Sequence, residues 1–128
     1  MARILVIDDQ EDITALTKLM LEEEGHKVAC CNDPSEVSDL LGTRHFDLLI
    51  LDVLMPGKNG FVLAEEIKQH YDDMQIIVMS GGGRTMDSQT AIKAAGIYAD
   101  FKLQKPFTPL QLNLAVDALL ATRMRIAS

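Results

Sequence analysis

Five residues of this chain combine side-chain types suited to one kind of chemistry, and each lies at the end of a strand-like run. Asp8 and Asp9 follow Ile4-Leu5-Val6-Ile7, and Asp52 follows Leu48-Leu49-Ile50-Leu51. Ser80 follows Ile76-Ile77-Val78-Met79, and Lys105, with Pro106 after it, lies just past Tyr98 to Leu103. Three carboxylates brought together repel, and each raises the pKa of the others. A hard divalent cation relieves that repulsion, and Mg²⁺ suits oxygen ligands that leave several positions to water. One carboxylate can then act as a nucleophile toward a phosphoryl group. The metal and a lysine stabilise charge on the phosphoryl oxygens, and a hydroxyl can donate to the phosphate once it is attached. Taken singly, each residue has an ordinary reading. Asp8 or Asp9 could cap the next helix, and Asp52 could precede the turn at Met55-Pro56-Gly57. Ser80 could begin the Gly81-Gly82-Gly83 loop, and Lys105 could be solvated. Their shared position joins them, because open α/β sheets bind ligands outside the carboxyl ends of their strands.

The elements that must position these residues alternate. Ile4 to Ile7, Lys27 to Cys31, Phe46 to Leu51, Gln75 to Met79 and Tyr98 to Leu103 read as strands, the last made polar by Asp100 and Lys102. Asp12 to Glu24 reads as a helix with Ile13, Leu16 and Met20 on one face and Gly25 as its stop. Asp33-Pro34-Ser35-Glu36 opens a second helix, with Val37, Leu40 and Leu41 apolar and Gly42 ending it. Gly60 to His70 is a third, with Phe61, Ala64 and Ile67 inward, and Met86 to Ala95 a fourth. Thr108-Pro109-Leu110-Gln111 forms a capping box before the last helix, which carries Leu112, Val116, Leu119 and Leu120. Strict alternation implies an α/β fold with a parallel sheet, helices on both faces and right-handed crossovers. The expected organisation is one domain over residues 1–121 and a short fraying tail over 122–128, with no effector domain.

Composition bounds the function. The chain has 128 residues, 48% of them hydrophobic, which suffices for one core. Its net charge of -7 and the lack of a Lys/Arg cluster argue against direct nucleic-acid binding and against an anionic lipid surface. No apolar run approaches the roughly 20 residues of a membrane span, and the start does not read as a signal peptide. Cys30 and Cys31 are neighbours on one strand, pointing to opposite faces, and so do not pair; two free thiols suit the cytoplasm. His26, His45 and His70 are scattered and read as surface or boundary residues. The Gly81 to Gly83 run is not a P-loop, since no Gly-Lys-Ser/Thr follows it.

Asp8-Asp9, the segment Leu51-Asp52-Val53-Leu54-Met55-Pro56-Gly57-Lys58-Asn59-Gly60, Ser80-Gly81 and Lys105-Pro106-Phe107 together resemble the receiver domain of two-component response regulators. The resemblance spans about Ala2 to Leu120. It implies a doubly wound (βα)5 fold with a flavodoxin-like strand order 2-1-3-4-5. It makes Asp52 the phosphoacceptor, taking a phosphoryl group from a histidine kinase or a histidine phosphotransfer protein. Asp9, Asp52 and the backbone carbonyl of Leu54 match the direct Mg²⁺ ligands, and Asp8 the acid that holds the metal's water. Ser80 matches the switch hydroxyl and Lys105 the lysine that pairs with the phosphate. The bond before the matching proline is often cis in the family. One departure stands out: the aromatic switch position, three residues before the lysine, holds Lys102. Phe101 beside it points the wrong way to substitute. The triple-glycine loop is expected to be mobile and to be ordered by phosphorylation. Output would pass by protein contact or onward phosphotransfer, and the fourth helix, fifth strand and fifth helix would form the partner face, for homodimerisation as well. Two other readings are a pseudo-receiver that binds a partner unphosphorylated, and a small-molecule phosphatase. The complete acid, hydroxyl and lysine set argues against the first, and short loops without a pocket against the second.

Overall fold

The structure is a computed structural model that describes residues 2–55, 58–81 and 99–127. Strand β1 (Arg3–Ile7) leads into helix α1 (Glu11–Glu22), and β2 (Lys27–Cys31) leads through a 3₁₀ turn (Pro34–Glu36) into α2 (Val37–Thr43). Strand β3 (Leu48–Asp52) is followed by a two-stranded antiparallel ribbon, β4 (Leu54–Met55) with β5 (Lys58–Asn59), and by α3 (Gly60–His70). Then come β6 (Gln75–Ser80), β7 (Phe101–Gln104) and α4 (Pro109–Ala127). The main sheet runs β2-β1-β3-β6-β7 with every pairing parallel. Counting those five strands along the chain gives the order 2-1-3-4-5. The helix predicted at Met86 to Ala95, the mobility predicted for the loop after Gly81 and the turn predicted at Pro56-Gly57 lie outside the described residues.

Alternation along the strands splits the core in two. Leu5, Ile7, Leu49, Leu51, Ile76 and Val78 face α2 and α3, where Val37, Leu41, Leu63, Ala64 and Ile67 meet them. Ile4, Val6, Leu48, Ile50, Ile77 and Met79 face α1 and α4, against Leu21, Leu112, Ala115 and Val116. The central strands are therefore apolar at successive positions, as a sheet covered on both faces requires. Each fully buried Leu or Ile stabilises the fold by about 1.5–3 kcal/mol.

Several predicted details change. Helix α1 buries Thr14, Thr17 and Leu21, whereas Leu16 is 52% exposed. Thr17 can go inward because its hydroxyl donates to the Ile13 carbonyl at 2.7 Å, and the Thr14 hydroxyl donates to the Glu11 carbonyl at 3.1 Å. Gly42 does not end α2, which continues to Thr43 with Arg44 in extended conformation as its cap. Gly25 does provide the expected stop after α1, at φ 88°, a region glycine enters without strain. The last helix runs to Ala127, past the fraying tail expected after Leu120. Its Ala, Leu, Met and Arg residues favour helix, and neither Gly nor Pro interrupts them. The capping box forms as read: the Thr108 N–H donates to Gln111 Oε1 at 2.9 Å and the Gln111 N–H to Thr108 Oγ1 at 3.1 Å. Asp33 caps the 3₁₀ turn by accepting from the Ser35 N–H at 3.0 Å, and its Ser35 contacts hold its carboxyl below the usual value.

The polar fifth strand has a structural cause. Asp100 accepts from the Ile76 N–H at 2.8 Å and pairs with Lys68 of α3 at 2.9 Å, fastening the start of β7 to β6. Among the described residues no helix is long and apolar enough to cross a membrane.

Candidate functional site

Three strands deliver acids or a base to one edge. Strand β1 ends at Ile7, so Asp8 and Asp9 emerge between it and α1. Asp52 is the last residue of β3, the strand paired beside β1. Ser80 closes β6, and its carbonyl accepts from the Lys105 N–H at 2.7 Å, which brings Lys105 round from the end of β7. The Lys105–Pro106 bond is cis.

The side chains converge. Carboxylate oxygens of Asp8, Asp9 and Asp52 lie within 4.8 Å of one another. Asp8 is fully buried and Asp52 nearly so, while Asp9 faces solvent. Lys105 Nζ donates to Asp8 Oδ2 at 2.7 Å and lies 3.5 Å from Asp52 Oδ2. Asp8 also accepts from the Gln10 N–H through Oδ1 at 3.0 Å. Partial burial, a hydrogen bond shared with Asp8 and the charge of Asp8 push the Asp9 carboxyl above its ordinary value of 3.8. Its own backbone N–H and the Lys105 charge oppose that rise. This donor set is all hard oxygen and crowded, with the carboxyl of its outermost member raised above its ordinary value by burial and by Asp8. Such a set fits a divalent cation such as Mg²⁺.

The capping alternative for the first two acids does not hold. The N-cap of α1 is Gln10, with no side-chain cap bond, and the Asp8 carboxylate bonds the Gln10 N–H just before the helix. Neither Lys102 nor Phe101 is buried in β7, so no aromatic residue sits inward at the switch position. His26 accepts from the Ala2 N–H through Nδ1 and His45 pairs with Asp47, both away from the acids.

Two residues at the site have roles that the sequence alone did not assign. Gly60 opens α3, and a Cβ there would lie 2.6 Å from the Asp52 carbonyl oxygen and 2.6 Å from Val53 Cα. Its glycine is thus a requirement of the backbone that carries Asp52. A hint was available in its position, just after the Asp52 loop at the head of a helix. Asn32, after β2, donates through Nδ2 to the Asp8 carbonyl and to Thr14 Oγ1, both at 2.9 Å. No pattern in the sequence marks it.

A five-stranded parallel sheet with three acids gathered at its carboxyl edge and a lysine reaching across them defines a doubly wound α/β domain with a candidate cation site. The comparisons give that class its family. The family model for the response regulator receiver domain matches residues 4–117, nearly the whole chain, and the chain belongs to that family. It is therefore a receiver domain of the two-component response regulator family. The response regulator SaeR of Staphylococcus aureus is 34% identical over 98% of this chain. The chain spans 53% of that relative's length, about half. Among solved structures, a receiver domain protein from Clostridium thermocellum matches at TM-score 0.87 and 30% identity, over 98% of this chain and 99% of that one. The response regulator TrrA of Thermotoga maritima, solved in complex with Mg²⁺-BeF, matches at TM-score 0.80 and 31% identity, over 93% of this chain and 99% of that one.

Proposed function

We propose that this chain accepts a phosphoryl group from a phosphohistidine onto Asp52 and signals through the resulting change in shape. A carboxylate oxygen of Asp52 attacks phosphorus, the O–P bond forms, the P–N bond breaks and the electron pair leaves with the imidazole nitrogen. The observation that carries this reading is Lys105 Nζ held between Asp8 and Asp52, at 2.7 and 3.5 Å. In that place it meets the transferred oxygens as their charge develops. Asp9, Asp52 and the Leu54 carbonyl are the groups to hold Mg²⁺, with Asp8 beside them. When bound, the ion offsets the charge of the carboxylates and of the phosphoryl oxygens. The Mg²⁺-BeF complex of the Thermotoga relative supports this choice of ion. Ser80, at the end of β6, supplies a hydroxyl to the attached phosphate. The burial of Asp52 limits the water that could hydrolyse the product.

The chain thus catalyses only its own phosphorylation and dephosphorylation. Its phosphodonor is a histidine kinase or a histidine phosphotransfer protein. Its output is a protein contact or onward phosphotransfer, with β7 and α4 as part of the partner and dimer face. Exposed Phe101, Leu110 and Leu114 on those elements support that face. The free thiols Cys30 and Cys31 support a cytoplasmic location.

Intact-mass spectrometry after incubation with a small acyl phosphate tests the reading. Wild type should gain one phosphoryl group in the presence of Mg²⁺, and Asp52→Asn should gain none. If the cognate phosphodonor protein and the small donor both leave wild type unlabelled, the chain is a binding module instead. Labelling that persists in Asp52→Asn would move the acceptor elsewhere.

A further inference from the structure

We infer that Asn32 and Thr14 form a clamp that positions the acid-bearing loop, so that the affinity of the site for a divalent ion depends on two side chains that do not touch the ion. This rests on the reading of Asp8, Asp9 and Asp52 as a metal-binding set. The loop from Asp8 to Gln10 joins β1 to α1. Its backbone is held from behind. The Asn32 amide does this with both its hydrogens. One goes to the Asp8 carbonyl and the other to Thr14 Oγ1, each at 2.9 Å. Thr14 is itself locked, 2% exposed, with its hydroxyl donating to the Glu11 carbonyl at 3.1 Å. The hydroxyl's own proton is therefore spent within the helix, and its oxygen is free to accept from Asn32.

The end of β2 completes the arrangement. The Asp8 N–H donates to the Cys31 carbonyl at 3.1 Å, so the peptide planes on either side of Asp8 are both tied to the Cys31–Asn32 segment. The Cys30 thiol adds a 3.4 Å contact to the Thr14 carbonyl. The loop is thus gripped by β2 and the first turn of α1 together. Its acids point away from that grip, toward Asp52 and Lys105. A carboxylate whose backbone drifts by a fraction of an ångström costs an ion with strict octahedral demands more than it would cost a solvated acid.

The test is a Mn²⁺ titration of the full chain followed by electron paramagnetic resonance of the free ion. It is paired with the thermal midpoint measured without metal and with the rate of phosphoryl uptake by intact mass. Asn32→Ala and Thr14→Val should each weaken Mn²⁺ binding by roughly 10-fold, the lower end of the effect of removing groups that orient metal ligands. The double variant should lose no more than either single one, because both break one unit. Thr14→Ser keeps the hydroxyl and should bind as wild type does. The metal-free midpoint of Thr14→Val should stay close to that of Thr14→Ser, which separates positioning from a merely structural role. Wild-type Mn²⁺ binding with unchanged affinity in Asn32→Ala and Thr14→Val would overturn the clamp and leave the metal site standing. A wild-type chain that binds no Mn²⁺ would overturn the metal reading, and the clamp with it. Should Asn32→Ala fail to fold, Thr14→Val against Thr14→Ser decides the matter alone.

Discussion

Asp9 is the residue whose ionisation reports most directly on crowding at the site. Its folded pKa lies above the ordinary 3.8, first through partial burial and then through Asp8. Between those two values the folded state binds more protons than the unfolded chain does, so metal-free stability falls as pH rises through that window. The sign is the reverse of that for an acid held in a salt bridge. Asp9→Asn should remove this slope, as denaturant titrations at several pH values across the window would show; equal slopes in both proteins would contradict it. The thiols belong to the same scale. Burial raises both Cys30 and Cys31 above their ordinary 9.0. Cys31, 2% exposed, should react with an alkylating reagent far more slowly in the folded chain than in denaturant, as mass spectrometry would read out. The placement of the candidate site was legible because Asp8, Asp9 and Asp52 break apolar runs where a parallel sheet exposes its carboxyl ends, and Lys105 follows the last strand. Asn32 was not legible, since a polar residue after a strand is ordinary until the carbonyl it meets is known.

At the scale of elements, legibility followed how far local pattern decides the outcome. The capping box at Thr108 and Gln111 could be read because all of its partners lie within one turn. Thr108→Ala should cost about 0.5–2 kcal/mol in a urea titration. The inward face of α1 was misread because buried threonines satisfy themselves within the helix and leave no apolar trace. Gly60 is the opposite case, a glycine whose cause lies in another segment. Gly60→Ala would press a methyl group onto the backbone of Asp52 and Val53, and neither can swing aside as a side chain could. Overpacking of this kind costs about 1–3 kcal/mol. The expected result is a lower denaturant midpoint together with slower phosphoryl uptake, because Asp52 moves with its strand end. A shift in stability alone would mean that the strand end holds its place.

For the whole molecule, the sheet is the frame and the acids are its strain. The fold class was readable from alternation alone, because runs such as Leu48 to Leu51 require cover on both faces and receive it from two distinct layers. An ion bound only by the folded state adds stability, about 2.7 kcal/mol at 100 times its Kd. For a domain of this size that corresponds to an upward shift in Tm on the order of 10 °C. Thermal melts with Mg²⁺ and with a chelator should differ by that order in wild type and coincide in Asp9→Asn. The span of the Lys105–Asp8 pair carries a last consequence. The partners stand 97 positions apart in the chain. During synthesis all three acids leave the ribosome long before the lysine beside them, and the edge strand that leads to it is the last strand of the sheet. With Asp52 as the proposed acceptor, a half-made chain carries it without the lysine proposed to assist it. On the proposed reading, competence to receive a phosphoryl group would arrive together with completion of the domain, and truncated products should take up none from a phosphodonor.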